Sequence, residues 1–253
     1  MSARQSGRAG RREWSGLALL ALPTMLLGLD VTALYLVVPS LASDLNPTAT
    51  ETLWIMDAYG FLIAGFLVTM GTLGDRVGRR RLLMIGMAAF GAASVGAAFA
   101  PGVAWLIVAR ALLGVAGATL MPSTLSLISN MFTDARERAL AIGVWATMFA
   151  LGMAAGPVVG GVLVAHLWWG AVFLIAVPVT VLVLVGAPAL LPEFRTRAGR
   201  LDPRSVGLSL TATLPIIYAI KHLAAHGLDV QVLVAVLLAG GSTVAFVRRQ
   251  LRL

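Results

Sequence analysis

The sequence has no cysteine and only one lysine, Lys221, in 253 residues. Without cysteine there is no disulfide framework and no thiolate metal site. The lone lysine is not preceded by G-x-x-x-x-G, so the chain carries no phosphate-binding loop and no ATP-driven engine of its own. HExxH, GxSxG and CxxC are absent too, which leaves no nominated nucleophile or catalytic metal. His222 and His226 share a helical i, i+4 spacing, but two ligands do not complete a metal set. No enzyme activity, no cofactor and no metal are therefore expected.

Charge is scarce as well. Only 12% of residues are charged and 59% are hydrophobic, with a mean hydropathy of +0.91, against about 25% charged in soluble domains. The charges gather in short clusters. Between them, residues 82–109, 111–133, 139–165 and 167–192 carry none. Each of these runs is long enough to cross a bilayer, which takes about 20 apolar residues. Lipid offers no partners to backbone N–H and C=O groups, so such runs must be helices. The expected fold is all-α and integral to the membrane, with eight transmembrane helices near 16–42, 52–73, 82–100, 103–131, 139–165, 168–191, 205–223 and 229–247. A basic tail at 1–15 precedes a six-helix bundle at 16–192. A linker at 193–204 then leads to two further helices and a basic tail at 205–253.

The formal charge of +8 raises the question of nucleic acid. The positions of the basic residues answer it. Arg4, Arg8, Arg11 and Arg12 precede the first run, and Arg76, Arg79, Arg80 and Arg81 fall between the second and third. Arg136 and Arg138 follow the fourth, Arg195, Arg197, Arg200 and Arg204 the sixth, and Arg248, Arg249 and Arg252 close the sequence. With alternating spans all of these face one side; of the 19 basic residues only Arg110 and Lys221 lie elsewhere. That is the positive-inside pattern. It predicts a multi-pass protein of the plasma (inner) membrane with both termini cytoplasmic, and no nucleic-acid partner.

Three motifs stand out. Gly71-Thr72-Leu73-Gly74-Asp75-Arg76-Val77-Gly78-Arg79-Arg80-Arg81 joins helices 2 and 3. Its glycines suit a tight reversal, and Asp75 suits capping a neighbouring helix end and pairing with arginine. Leu106-Ile-Val-Ala-Arg110-Ala-Leu-Leu-Gly114-Val-Ala-Gly117 puts an arginine inside helix 4. On helix 5, Gly152, Gly156 and Gly160 recur every four residues, with Pro157 and Gly161 between and after them. Small residues on one face let a second helix approach closely, and proline invites a bend, which together suit a helix that rocks against its neighbour.

Asp30 lies near the middle of helix 1. A carboxyl at that depth costs about 2.5 to 3.5 kcal/mol even on insertion scales, so it is expected to face a cavity or a partner such as Arg110. Asp57 lies nearer the outer end of helix 2. Tyr35, Trp54, Tyr59 and Met148 are candidates to line a cavity for flat cations.

The three motifs resemble those of the major facilitator superfamily: the signature loop G-x-L-a-D-r-x-G-r-k-x-x-l, the helix 4 arginine motif, and the antiporter motif G-x-x-x-G-P-x-x-G-G. The surroundings of Asp30 and Asp57 are similar to those in its fourteen-helix drug:proton antiporters, the QacA-type multidrug exporters. The resemblance implies a six-helix N-terminal bundle plus that subfamily's extra central pair. It implies proton-coupled efflux of cationic or lipophilic drugs such as quaternary ammonium compounds and dyes, driven by the proton gradient. Asp30, Asp57 and Arg110 would handle protons and cations. Gly71, Gly74, Asp75, Arg76, Gly78, Arg79 and Arg80 would form a gating loop. The sequence stops at Leu253, where the resembled subfamily continues for six more helices, so the C-terminal six-helix bundle is expected to be absent. Expected partners are lipid, protons, a small substrate, and either a second copy or a separate C-terminal half. A non-transporting fragment or interaction subunit, and an exporter of a neutral metabolite or antibiotic, stand as alternatives.

Overall fold

The computed structural model describes residues 8–195 and 203–250. The start of the expected basic tail and the middle of the expected linker lie outside them, as do Arg4, Arg197, Arg200 and Arg252 and the side chains of Arg204 and His226. Every regular element among the described residues is helical: α1 (Arg11–Leu45), α2 (Ala49–Val77), α3 (Arg79–Ala98), α4 (Val103–Met131), α5 (Ala135–His166), α6 (Ala171–Leu174), α7 (Ala176–Leu190), α8 (Pro203–His226) and α9 (Val230–Gln250).

Local chemistry sets the boundaries. α1 ends where Asn46 turns into the left-handed region (φ 48°) and donates its N–H to Ala42, the use a short polar side chain tolerates. Thr48 and Glu51 then open α2 as a reciprocal pair: Thr48 Oγ1 accepts from Glu51 N, and Glu51 Oε2 accepts from Thr48 N at 2.8 Å. Asp134 opens α5 by accepting the N–H groups of Arg136 and Glu137 at 2.9 and 3.0 Å. Its carboxyl is held below the usual carboxylate range, chiefly by the Glu137 N–H. The expected sixth span is divided by a turn at Ile175 into α6 and α7.

Among the described residues seven spans are long and apolar enough to cross a membrane, with residues 171–190 counted as one. α8 has the length, but its apolar stretch is only Leu210–Ile220. The buried face of α1 repeats every seven residues at Leu20, Leu27, Leu34 and Leu41, close to two helical turns. Large apolar side chains such as Val185 and Leu237 point outward, as lipid-solvated surfaces do. α1 packs along α5, α2 and α3 pack on α4, and α8 pairs with α9 and leans on α2.

The basic segments meet at one end of the bundle. Ala9 N donates to Glu137 at 2.8 Å, Arg12 Nη2 to the Ala189 carbonyl at 3.0 Å, and Arg79 N to the Phe194 carbonyl at 3.0 Å. At the opposite end Trp168 Nε1 donates to the Ala98 carbonyl at 3.3 Å.

Candidate functional site

The centre of the bundle holds a charge pair. Arg110 Nη1 on α4 donates to Asp30 Oδ2 on α1 at 2.6 Å. Arg110 is 1% exposed and Asp30 12%. An arginine does not shed its proton, so at this depth it needs a counter-charge and satisfied N–H groups. Its Nε donates to the Ile55 carbonyl of α2 at 3.0 Å. Its guanidinium carbon lies 4.6 Å from the centroid of the Tyr59 ring and 5.9 Å from that of Phe173 on α6, within range of cation–π attraction.

The glycines of the helix 4 motif create this nest. A Cβ on Gly114 would stand 2.5 Å from the Tyr59 carbonyl, and one on Gly117 would stand 3.1 Å from Leu27 and 3.2 Å from Ile63. Small residues on α4 thus draw α2 in until the Tyr59 ring lies against Arg110.

Expectation and structure part company over Tyr59. It was expected to line an open cavity, yet it is 1% exposed and packed against the charge pair. Tyr35 is 63% exposed on α1. Met148 is half-buried on α5. Trp54 and Phe61 line a different space, an apolar cavity of about 700 Å³ between α2, α4, α8 and α9 that also takes in Leu214, Tyr218 and Val234. Asp57 is half-buried on α2. At 3.6 residues per turn it sits about 200° around the helix from Ile55 and from Tyr59, on the Trp54 and Phe61 side. Asp57 thus points away from the Tyr59 ring, while Asp30 meets Arg110.

The antiporter glycines face α1. A Cβ on Gly152 would strike the Met25 carbonyl, one on Gly156 the Thr32 hydroxyl, and one on Gly160 would come within 2.6 Å of the Ala33 carbonyl. Gly28 of α1 answers them against the Phe149 carbonyl, while Gly161 has nothing nearby. α5 thereby interlocks with the helix that carries Asp30. Pro157 explains one bond in this seam. It has no N–H to offer the Met153 carbonyl four residues back, and Thr32 Oγ1 donates to that carbonyl from α1 at 2.8 Å.

In the loop motif Asp75 pairs with Arg79 at 2.6 Å, one turn on. The cap of the neighbouring helix comes from elsewhere. Glu193 accepts from Arg80 N at 3.1 Å and Arg81 N at 3.2 Å, placing a carboxylate on the positive end of α3. Gly78 has φ 112°, and a Cβ there would lie 2.5 Å from Glu193 Oε1, so both conformation and space require glycine. Arg80 Nη1 also reaches the Leu191 carbonyl at 2.9 Å. Arg76 lies half-buried in the last turn of α2, Gly74 is packed by the Arg79 side chain, and Gly71 has only Pro122 near it.

Sequence reasoning passed over Thr32, Ile55, Phe173 and Glu193. Glu193 left a signal, a lone acid at the mouth of a basic segment after a membrane span. Ile55 acts through its backbone and left none. Among the described residues no group of three His, Cys, Asp or Glu could hold a metal ion. His222 Nε2 instead meets Asp229 Oδ2 at 2.9 Å.

A bundle of membrane-crossing helices with a buried ion pair at mid-span, a glycine-stapled helix pair and a capped basic loop defines a multi-pass transporter core. The chain belongs to the Major Facilitator Superfamily, whose family model matches residues 20–248. It is 52% identical over 246 residues to the multidrug efflux pump LfrA of Mycolicibacterium smegmatis, covering 97% of this chain and 49% of that protein. It is 38% identical over 245 residues to the methyl viologen resistance protein SmvA of Salmonella typhimurium, covering 95% and 49%. The chain thus spans about half the length of these relatives. Among solved structures it resembles a peptide transporter, POT, crystallised with sulfate, with a TM-score of 0.63, 22% identity, and coverage of 87% of this chain and 49% of that one. That likeness bears on the fold alone.

Proposed function

We propose that this chain is the N-terminal half of a proton-coupled drug exporter. Asp30 alternately holds a proton and balances the charge of Arg110 while a cationic or lipophilic drug crosses in the opposite direction. The observation that carries this reading is the Asp30–Arg110 pair, buried at mid-span where a charge is kept only for use. Kinship with LfrA and SmvA supports drugs as the cargo. The basic segments at one end of the bundle support cytoplasmic termini in the plasma membrane. The inward proton gradient supplies the energy, about 2.3 kcal/mol per charge for each 100 mV. The described bundle is one wall of an alternating-access pore, and we assign the other wall to a second six-helix bundle, in a further copy or in C-terminal sequence.

Proton-driven accumulation of a quaternary ammonium dye inside inverted vesicles tests the reading. Asp30→Asn is expected to abolish it at unchanged expression; efflux that survives the substitution overturns the reading. Asp57 adds a charge split. If it titrates with Asp30, Asp57→Asn removes transport of divalent dyes and spares monovalent ones, and equal loss of both sinks the split.

The almost wholly apolar cavity beside Trp54 and Phe61 supports a second reading, export of a neutral lipophilic compound with Asp30 handling protons only. Transport of an uncharged dye, lost in Asp30→Asn, with no transport of charged ones would select it.

A further inference from the structure

Resting on the proton-coupled reading, we propose that Tyr59 and Phe173 are positioning residues of the proton site, whose ring faces hold Arg110 in place while Asp30 is neutral. Arg110 is almost wholly buried, and its carboxylate partner is the group that takes up the proton. When Asp30 is protonated, the guanidinium stays charged and loses its counter-ion where water does not reach, a costly condition unless other groups replace the interaction. The Ile55 carbonyl accepts one N–H at 3.0 Å. Two rings remain, at 4.6 and 5.9 Å, contributed by α2 and α6 rather than by the helices that carry the pair. Attraction between a cation and a ring face strengthens with desolvation, so it counts for most in this state.

The Tyr59 ring is itself fixed. Its hydroxyl donates to the Leu27 carbonyl at 3.5 Å, three residues before Asp30, and its edge meets Phe90 with centroids 6.5 Å apart. Because the ring is held by α1 and α3 together, Arg110 keeps its station through the neutral state, and Asp30 finds its partner waiting when the proton leaves.

The consequence is a coupling that reads without transport. Asp30→Asn mimics the neutral acid, so removal of the ring costs more in that background than in the parent. Melting temperatures of detergent-purified protein are compared for Tyr59→Leu and Tyr59→Phe, with and without Asp30→Asn. We expect Tyr59→Leu to lower the melting temperature more in the Asp30→Asn protein than in the parent, and Tyr59→Phe, which keeps the ring and gives up only its long hydroxyl bond, to lower both by the same small amount. Phe173→Leu repeats the cycle on the second ring should Tyr59→Leu not fold. An equal or smaller shift in the Asp30→Asn background, or a Phe variant as damaged as the Leu variant, overturns the assignment.

In vesicles Tyr59→Leu is expected to cut proton-driven dye efflux about tenfold while dye counterflow, which moves no net proton, persists. Equal loss of both activities indicates a merely structural ring and also overturns it. If the unmodified protein drives no proton-dependent efflux, the transport reading falls, while the melting cycle still decides the role of the rings.

Discussion

At the scale of single residues the bundle is organised by one cation. Arg110 draws contacts from α1, α2 and α6, and it is itself buried in the pair it forms with the part-buried Asp30. Truncating one partner of such a pair leaves the other uncompensated, at a cost of about 3–5 kcal/mol, whereas removing both costs less. Arg110→Ala is therefore expected to destabilise the purified protein by that order, and Arg110→Ala with Asp30→Asn by clearly less. Thermal denaturation of the two variants checks this, and equal damage would mean that the pair is not an energetic unit. Lysine does not substitute, because a compact ammonium cannot reach Asp30, the Ile55 carbonyl and two ring faces at once. The existence of this site was legible in the sequence, since charged residues inside two apolar helices demand partners. Which rings would surround it was not. Tyr59 reads as cavity lining until Gly114 is seen to bring its backbone against α4.

At the scale of elements, the seam between α1 and α5 joins the antiporter motif to the helix that bears Asp30. Its glycines admit backbone to backbone, and the Thr32 hydroxyl satisfies the carbonyl that Pro157 leaves unpaired. Restoring an N–H at position 157 makes that hydroxyl redundant. Thr32→Val is expected to lower thermal stability by up to about 1 kcal/mol in the parent, the net worth of an ordinary hydrogen bond, and to have little effect in a Pro157→Ala background. Thr32→Ser should retain stability. An identical cost of Thr32→Val in both backgrounds would show that the hydroxyl does not serve the proline. The spacing of Gly152, Gly156 and Gly160 announced a close helix contact, and the contact is there. The identity of the partner lay beyond periodicity, because a small-residue face does not name the helix that will meet it. The loop motif behaved alike: Gly78 was marked as a turn, while the carboxylate that fills the turn comes from Glu193, more than 100 residues later.

At the scale of the whole molecule, topology is the first thing to test, and the lack of cysteine makes the chain its own labelling background. Single cysteines at Asn46, Gly102 or Leu228 are expected to react with a membrane-impermeant thiol reagent in intact cells. Cysteines at Arg8, Thr133 or Glu193 should react only after permeabilisation, and the reverse pattern would invert the proposed orientation. The sequence by itself determined that the chain is helical, that it crosses a membrane several times, and that its basic loops share a side. Each of these follows from local composition measured against a solvent that cannot bond a bare backbone. Tertiary structure alone decided that Asp30 takes Arg110 as its partner, that Tyr59 turns inward, and that Glu193 closes the signature loop. The physical reason is that within lipid the hydrophobic pattern no longer distinguishes one apolar helix face from another. Neighbours are chosen there by close packing of small residues and by pairing of the few polar groups, which only the folded chain brings together.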